Sequence, residues 1–246
     1  MSQRQFGLIG KNISYSFSKN YFSEKFNLEE IEDCTYSNFD IQYIEDFPSI
    51  LIKNPKLKGL NVTIPYKEII IPYLYTLSDI AFTIGAVNVI KIGKNGNLKG
   101  YNTDWYGFYH SLKPMLEAHH KKALIIGTGG ASKAVGYALN LLNIDYKFVS
   151  RNPGLNNLEY HEVNENTFQD YHIIINCTPL GTFPETENYP PIPYSYFSEN
   201  HIAYDLIYNP VETKFLKKAR LKGSKTKNGY EMLLLQAEKA WEIWNK

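Results

Sequence analysis

Cysteine is scarce in this chain: Cys34 and Cys177 stand far apart, with neither a CxxC pair nor a histidine-rich neighbourhood. That usage argues against a disulfide framework, suggests no metal site, and fits a reducing compartment. No stretch approaches the roughly 18 apolar residues that a membrane span requires. Residues 1–5 lead straight into a short apolar strand rather than a targeting segment, so a cytoplasmic protein with no membrane partner is expected. An excess of one charge is missing too, with 26 basic against 25 acidic residues and a formal net charge of +1. No global field then draws the protein to nucleic acid, and any anion must be caught locally. There is no internal repeat and no low-complexity linker.

What remains is the composition of a folded chain, 43% hydrophobic and 21% charged. At 246 residues it can build one large domain or two modest ones with a cleft between them. Apolar runs at 6–10, 35–40 and 59–64 read as strands, with helical spacing at 21–28 and 41–52 and a polar loop at 11–19. Segments 87–92 and 98–101 flank Asn95-Gly96, a pair suited to a hairpin turn with positive backbone dihedrals. Further on, apolar runs at 123–126, 146–149, 173–175 and 202–207 alternate with helical or polar connectors, as in a parallel sheet. Residues 231–244 place Leu233, Ala237, Ala240, Trp241 and Trp244 on one helical face, which must dock somewhere. The fold class expected is α/β. An N-terminal α/β substrate domain (1–102) is followed by a Rossmann-type parallel-sheet nucleotide domain (103–227), and a C-terminal helix (228–246) returns to the first domain.

Between the strand at 123–126 and the next helix the chain reads Gly127-Thr128-Gly129-Gly130-Ala131-Ser132. Glycines there let the backbone turn tightly, approach a pyrophosphate and present helix N-terminal amides to it. A glycine pair alone is equally a plain turn. The apolar strand before it, the helix after it and a second strand ending about 20 residues later supply the context of a dinucleotide site. That second strand ends in Val149-Ser150-Arg151-Asn152 with no carboxylate for a ribose hydroxyl, whereas Arg151 suits a 2′-phosphate. NADP(H) is therefore favoured over NAD.

The first domain holds Asn61-Val62-Thr63-Ile64-Pro65-Tyr66-Lys67, then Gly85-Ala86-Val87-Asn88, then Gly100-Tyr101-Asn102-Thr103-Asp104. Asn61 and Thr63 fall on one side of a strand, and Lys67 lies one turn beyond its end. In this order the three segments resemble the shikimate dehydrogenase family. The match runs on through the glycine turn, Asn176-x-Thr178-Pro179-Leu180-Gly181, Tyr204-Asp205-Leu206-Ile207-Tyr208-Asn209-Pro210 and Asn228-Gly229-x-x-Met232-Leu233-x-x-Gln236-Ala237.

The resemblance implies reversible NADPH-dependent reduction of 3-dehydroshikimate to shikimate, a step of aromatic amino-acid and chorismate biosynthesis. It makes Lys67 and Asp104 the catalytic pair, and Ser16, Ser18, Asn61, Thr63, Asn88, Tyr208 and Gln236 the substrate contacts. On the cofactor side it implies Asp79, Gly127, Thr128, Gly129, Gly130, Ala131, Ser150, Arg151, Asn152, Thr178, Leu206 and Gly229, with no metal. The chemistry agrees, since an ammonium near a ketone can stabilise the oxygen charge left by hydride arrival and supply the proton. Asp104 would orient that lysine and bind a substrate hydroxyl; which of the pair moves the proton is open at this level. Ser16 and Ser18 can donate to a carboxylate. The protein is expected to act on small molecules as a monomer or a homodimer, its first domain closing on the second.

Departures gather in the N-terminal loop. The family pattern Pro-Ile-x-His-Ser-x-Ser-Pro appears here as Asn12-Ile13-Ser14-Tyr15-Ser16-Phe17-Ser18-Lys19, keeping both serines and losing the histidine and both prolines. Lys133 stands where many relatives carry arginine. Three rivals follow: a quinate/shikimate dehydrogenase of broader specificity, a non-catalytic shikimate-sensing relative, and a folate-type dehydrogenase. They are disfavoured respectively by the missing acid at 150–152, by retention of Lys67 with Asp104, and by the serine pair.

Overall fold

A computed structural model describes residues 3–13, 16–152, 154 and 157–246. The chain forms two compact units, Met1–Thr103 with Ala237–Lys246 and, separately, Asp104–Gln236. Among the described residues the first holds six strands: β1 (Arg4–Gly10), β2 (Cys34–Asp40), β3 (Leu57–Val62), β4 (Thr76–Leu77), β5 (Val89–Ile92) and β6 (Leu98–Tyr101). They lie in the order β2-β1-β3-β5-β6-β4. β1 pairs parallel with β2 and β3, and β5 runs antiparallel to β3 and β6. The β5–β6 hairpin turns at Asn95-Gly96 as its sequence suggests, with Gly96 taking a φ of 82°. Helices α1 (Phe17–Leu28), α2 (Phe47–Lys53), α3 (Tyr66–Ile69) and α4 (Asp79–Ile84) complete this part.

Strand alternation divides its core. Phe6 and Leu8 turn to a cluster with Phe22 and Phe26 of α1, while Ile9, Leu60 and Val62 turn to one with Phe47 and Ile50 of α2. Helix α1 starts at Phe17, four residues before the expected 21, because the Ser16 side chain accepts from the Ser18 amide and caps it. Ser18 thus sits in a helical first turn rather than a loop. β3 stops at Val62, short of the expected 64; Ile64 turns outward to solvent before Pro65.

The second unit is built on five strands, β7 (Lys122–Ile126), β8 (Asp145–Val149), β9 (Ile173–Asn176), β10 (Ile202–Asp205) and β11 (Lys225–Lys227). All pair parallel, in the order β11-β10-β9-β7-β8. Helices α5 (Asp104–Leu112) and α6 (Gly130–Leu141) cover one face, and α7 (Glu165–Asp170) and α8 (Lys214–Arg220) the other. Ile125, Ile173 and Ile175 pack toward α5 and α6; Leu124, Ile126 and Ile174 pack toward α7 and α8. Burial on both faces is why these strands read as continuous apolar runs.

The last helix, α9 (Tyr230–Asn245), contributes to both cores. Met232 belongs to the cluster of α5 and α6, and Ala237, Ala240 and Trp244 to that of Phe6 and Phe22. Trp244 stacks on Phe6 with ring centroids 4.8 Å apart, and its indole N–H donates to the Ile90 carbonyl at 3.0 Å. Removing so large a buried side chain costs about 3–5 kcal/mol.

Candidate active site

The serines follow β1 through a turn held from β2. The two carboxylate oxygens of Asp40 accept from the amides of Asn12 and Ile13 at 2.9 and 3.0 Å. The side-chain amide of Asn38 donates to the Ile13 carbonyl at 3.2 Å. These bonds fix the described part of a turn that lacks the prolines of the family pattern; Ser14 and Tyr15, where the histidine is lost, lie outside the described residues. Ser16 uses its oxygen as an acceptor for the cap at 3.2 Å, which leaves its hydroxyl proton for a donor role.

Backbone bonds bring the three motifs of the first unit together. Val62 N donates to Asn88 O at 2.8 Å, Val87 N to Lys67 O at 2.7 Å and Asn88 N to Tyr101 O at 3.1 Å. Thr63, half-buried, donates its amide to Ile9 O at 3.0 Å and so ties the Lys67 segment to β1. Asn61 and Asn88 are buried, at 5% and 3% exposure, although both are polar. Such groups need partners. Asn61 receives the Tyr36 hydroxyl at 2.7 Å, and Asn88 Oδ1 receives the Thr103 amide at 2.6 Å. Asn102 donates to Ala86 O at 2.9 Å, closing the third motif onto the second. Lys67 is half-buried in the first turn of α3. Asp79 is exposed at the start of α4, where the Ser78 hydroxyl oxygen caps the helix.

Buried Asp104 opens α5 in the second unit, directly after Thr103. The remaining candidates of this unit crowd the carboxyl ends of the strands. Gly127 follows β7, Ser150-Arg151-Asn152 follows β8 and Thr178 comes two residues after β9. The chain passes from β7 to β8 on one side and then to β9 on the other, and ligands bind where the strand order reverses in this way. Gly127 has a φ of 102°, and a Cβ there would meet Thr178 Cγ2 at 3.1 Å. Gly129 is the N-cap of α6 and places no side chain over its first amides. Gly130 and Ala131 form the first turn, so the end of this helix fits a pyrophosphate. The Ser150 hydroxyl oxygen accepts from Asn152 N at 3.3 Å. Arg151 is exposed, and its charge opposes the upward push of burial on the Tyr160 hydroxyl. Thr128 is exposed on the glycine turn.

Beneath these loops lies a scaffold to which the sequence motifs attach no role. The carboxylate of Asp205, fully buried, accepts from Asn176 Nδ2 at 3.1 Å, Ile207 N at 3.1 Å and the Thr213 hydroxyl at 2.6 Å. Burial outweighs those three bonds and pushes its pKa up to about 7. Asn176 in turn accepts from the amide and hydroxyl of Thr178 at 3.0 and 2.6 Å. Leu206 N donates to Asn176 O at 3.0 Å, and Gly229 N to Ile207 O at 3.0 Å. A side chain on Gly229 would run into the Leu206 backbone, so the two candidate cofactor contacts meet main chain to main chain. Tyr208 is half-buried in the same segment, and buried Gln236 donates to Leu233 O at 2.9 Å within α9. In the sequence, Asp205 is marked only by its place in the segment Tyr204-Asp205-Leu206-Ile207-Tyr208-Asn209-Pro210.

Residues 8–90 match the family model of the shikimate dehydrogenase substrate binding domain. The shikimate dehydrogenase (NADP(+)) of Clostridium botulinum (strain Hall) is 40% identical over 97% of this chain and 95% of its own length. The crystal structure of shikimate dehydrogenase from Aquifex aeolicus gives a TM-score of 0.87 at 35% identity, covering 99% of this chain and 92% of that one. Shikimate 5-dehydrogenase from Thermus thermophilus, solved in complex with NADP(H) and shikimate, gives 0.84 at 30% identity over 98% of this chain and 93% of its own.

Proposed function

The chain belongs to the shikimate dehydrogenase family, and from that membership we propose that it reversibly reduces 3-dehydroshikimate to shikimate with NADPH in the chorismate route to the aromatic amino acids. The observation that carries the reading is the buried amide network Asn61, Asn88 and Thr103, which knits the Lys67 segment to the residue preceding Asp104. A ring carrying hydroxyls and a carboxylate calls for hydroxyl and amide side chains, and these are the types supplied by Ser16, Ser18, Asn61, Thr63, Asn88, Tyr208 and Gln236.

Bound NADPH supplies a hydride, whose electron pair forms the new C–H bond at the ketone carbon. Lys67 stabilises the charge that the displaced carbonyl pair leaves on oxygen and delivers the proton that completes the alcohol. Asp104 orients Lys67 and holds a neighbouring substrate hydroxyl. Arg151 pairs with the 2′-phosphate, Ser150 and Asn152 line the same loop, and Gly127, Thr128, Gly129, Gly130 and Ala131 admit the pyrophosphate. Asp79, Thr178, Leu206 and Gly229 complete the cofactor set. The enzyme acts in the cytoplasm as a monomer or a homodimer, without nucleic acid. No helix among the described residues is long and apolar enough to cross a membrane.

The test is a rate comparison of purified protein with shikimate or quinate and with NADP⁺ or NAD⁺, following nicotinamide reduction. Shikimate with NADP⁺ is expected to be fastest. Absence of turnover with that pair would sink the reading, and equal rates with quinate would replace it by the broader quinate/shikimate activity.

A further inference from the structure

Tyr36 of β2 lies in none of the motifs, yet its hydroxyl is in the middle of the polar network of the first unit. Its ring is 5% exposed and stacks on Phe22, with centroids 4.6 Å apart and planes 12° from parallel. Its hydroxyl donates to Asn61 Oδ1 at 2.7 Å, a buried bond between strands that are not neighbours in the sheet. Burial drives the phenol pKa far up, and a hydrogen bond with the Ser18 side chain opposes that push. The phenol oxygen thus binds directly to one of the residues assigned to substrate.

A carboxamide has an accepting end and a donating end. With Oδ1 taken by Tyr36, Asn61 is left its NH₂, which lies 3.5 Å from Asn88 O, at the long limit of a hydrogen bond. That NH₂ has capacity for a second acceptor. We propose that Tyr36 is a positioning residue for substrate recognition: its hydroxyl locks the Asn61 carboxamide so that amide hydrogens face a substrate oxygen. This rests on the reading that Asn61 contacts substrate. Without the hydroxyl the carboxamide is free to turn over and present oxygen to oxygen, which weakens binding while Lys67 and Asp104 stay in place.

Tyr36→Phe keeps the ring and its stacking and removes only the hydroxyl. The Michaelis constant for shikimate is expected to rise about tenfold, as for loss of one bound orientation, with kcat within about twofold of the parent. The Michaelis constant for NADP⁺ should not move. In an Asn61→Ala background the same change should add less than about twofold, because the group to be oriented is gone. Asn61→Asp provides a second reading with Tyr36 intact, since it still accepts from the phenol but has no amide hydrogens to present; it should lose shikimate binding as fully as Asn61→Ala. An unchanged shikimate constant in Tyr36→Phe, a full tenfold effect persisting without Asn61, or parental binding in Asn61→Asp overturns the proposal. Failure of the parent protein to oxidise shikimate with NADP⁺ overturns the functional reading instead, so the two failures are distinguishable.

Discussion

Asn88 and Thr103 hold each other at both ends: the Thr103 amide donates to Asn88 Oδ1 at 2.6 Å, and Asn88 Nδ2 donates to the Thr103 hydroxyl at 3.0 Å. Both residues are buried. The pair fixes the backbone immediately before Asp104, so a strand-end carboxamide governs the approach of the chain to the residue proposed to orient Lys67.

Asn88→Ala leaves the buried Thr103 amide without its acceptor, at a cost of about 1–3 kcal/mol. Displacement of Asp104 by even an ångström should lower kcat on the order of 100-fold. Urea unfolding and steady-state rates on one preparation check both. Parental kcat together with lost stability would show that the pair serves folding alone.

Lys67→Ala removes the proposed proton donor from the first turn of α3. Turnover is expected to fall by about 10²–10⁴-fold, while NADP⁺ affinity, measured by calorimetric titration, stays at the parental value. Substantial turnover in this variant contradicts the mechanism.

Arg151→Glu reverses the charge of an exposed side chain, so the fold should tolerate it. Loss of a charge-assisted bond to the 2′-phosphate should reduce kcat/KM with NADP⁺ about 10- to 100-fold. The NAD⁺ value is expected to hold or rise. An unaltered ratio between the two cofactors refutes the role given to this residue.

Asp205 makes stability depend on pH in a direction opposite to that of most carboxylates. Its folded pKa of about 7 lies above the ordinary value of 3.8, so the native state keeps a proton that the unfolded chain gives up. Its contribution is therefore greatest below about pH 4 and is lost as pH rises through 7, on the order of 4 kcal/mol at most. Asp205→Asn cannot titrate, and the parent should lose stability relative to this variant between pH 5 and pH 8. Thermal melts at the two values decide it, and a constant difference would show that Asp205 is ionised throughout. Buried His120 works the other way: its pKa is lowered to about 4, mainly by desolvation, so its contribution is present above about 6.5 and falls away in acid.

Much of this architecture is legible in the sequence, for physical reasons that differ between its parts. β7 and β9 can be read because burial on both faces demands the unbroken apolar runs at 123–126 and 173–175. β11, the polar segment Lys225-Thr226-Lys227, cannot, because its place in the sheet comes from its ladder with β10 and its lysines pair with Glu117 and Glu231, none of which leaves an apolar pattern. The start of α1 is missed because Ser16 reads equally as a loop serine or a cap until its oxygen is seen to accept from Ser18 N. The positions of Lys67, Asn88 and Asp104 are legible as spaced motifs, but their partners are not. A strand tyrosine such as Tyr36 reads as core, and its bond to Asn61 spans 25 residues. Asp205 meets Asn176 across 29 residues, a pairing that no local pattern encodes.

The stacking of Trp244 on Phe6 also sets an order of assembly on the ribosome. Segments fold as units while the chain emerges from its amino end. The second unit is continuous and is complete once Gln236 is out, whereas the first, begun earlier, still lacks Ala237–Lys246. The side of Phe6 that Trp244 covers therefore stays open until the last turns of α9 have emerged. A premature stop within α9 would be felt at the oldest part of the nascent protein rather than at the point of truncation.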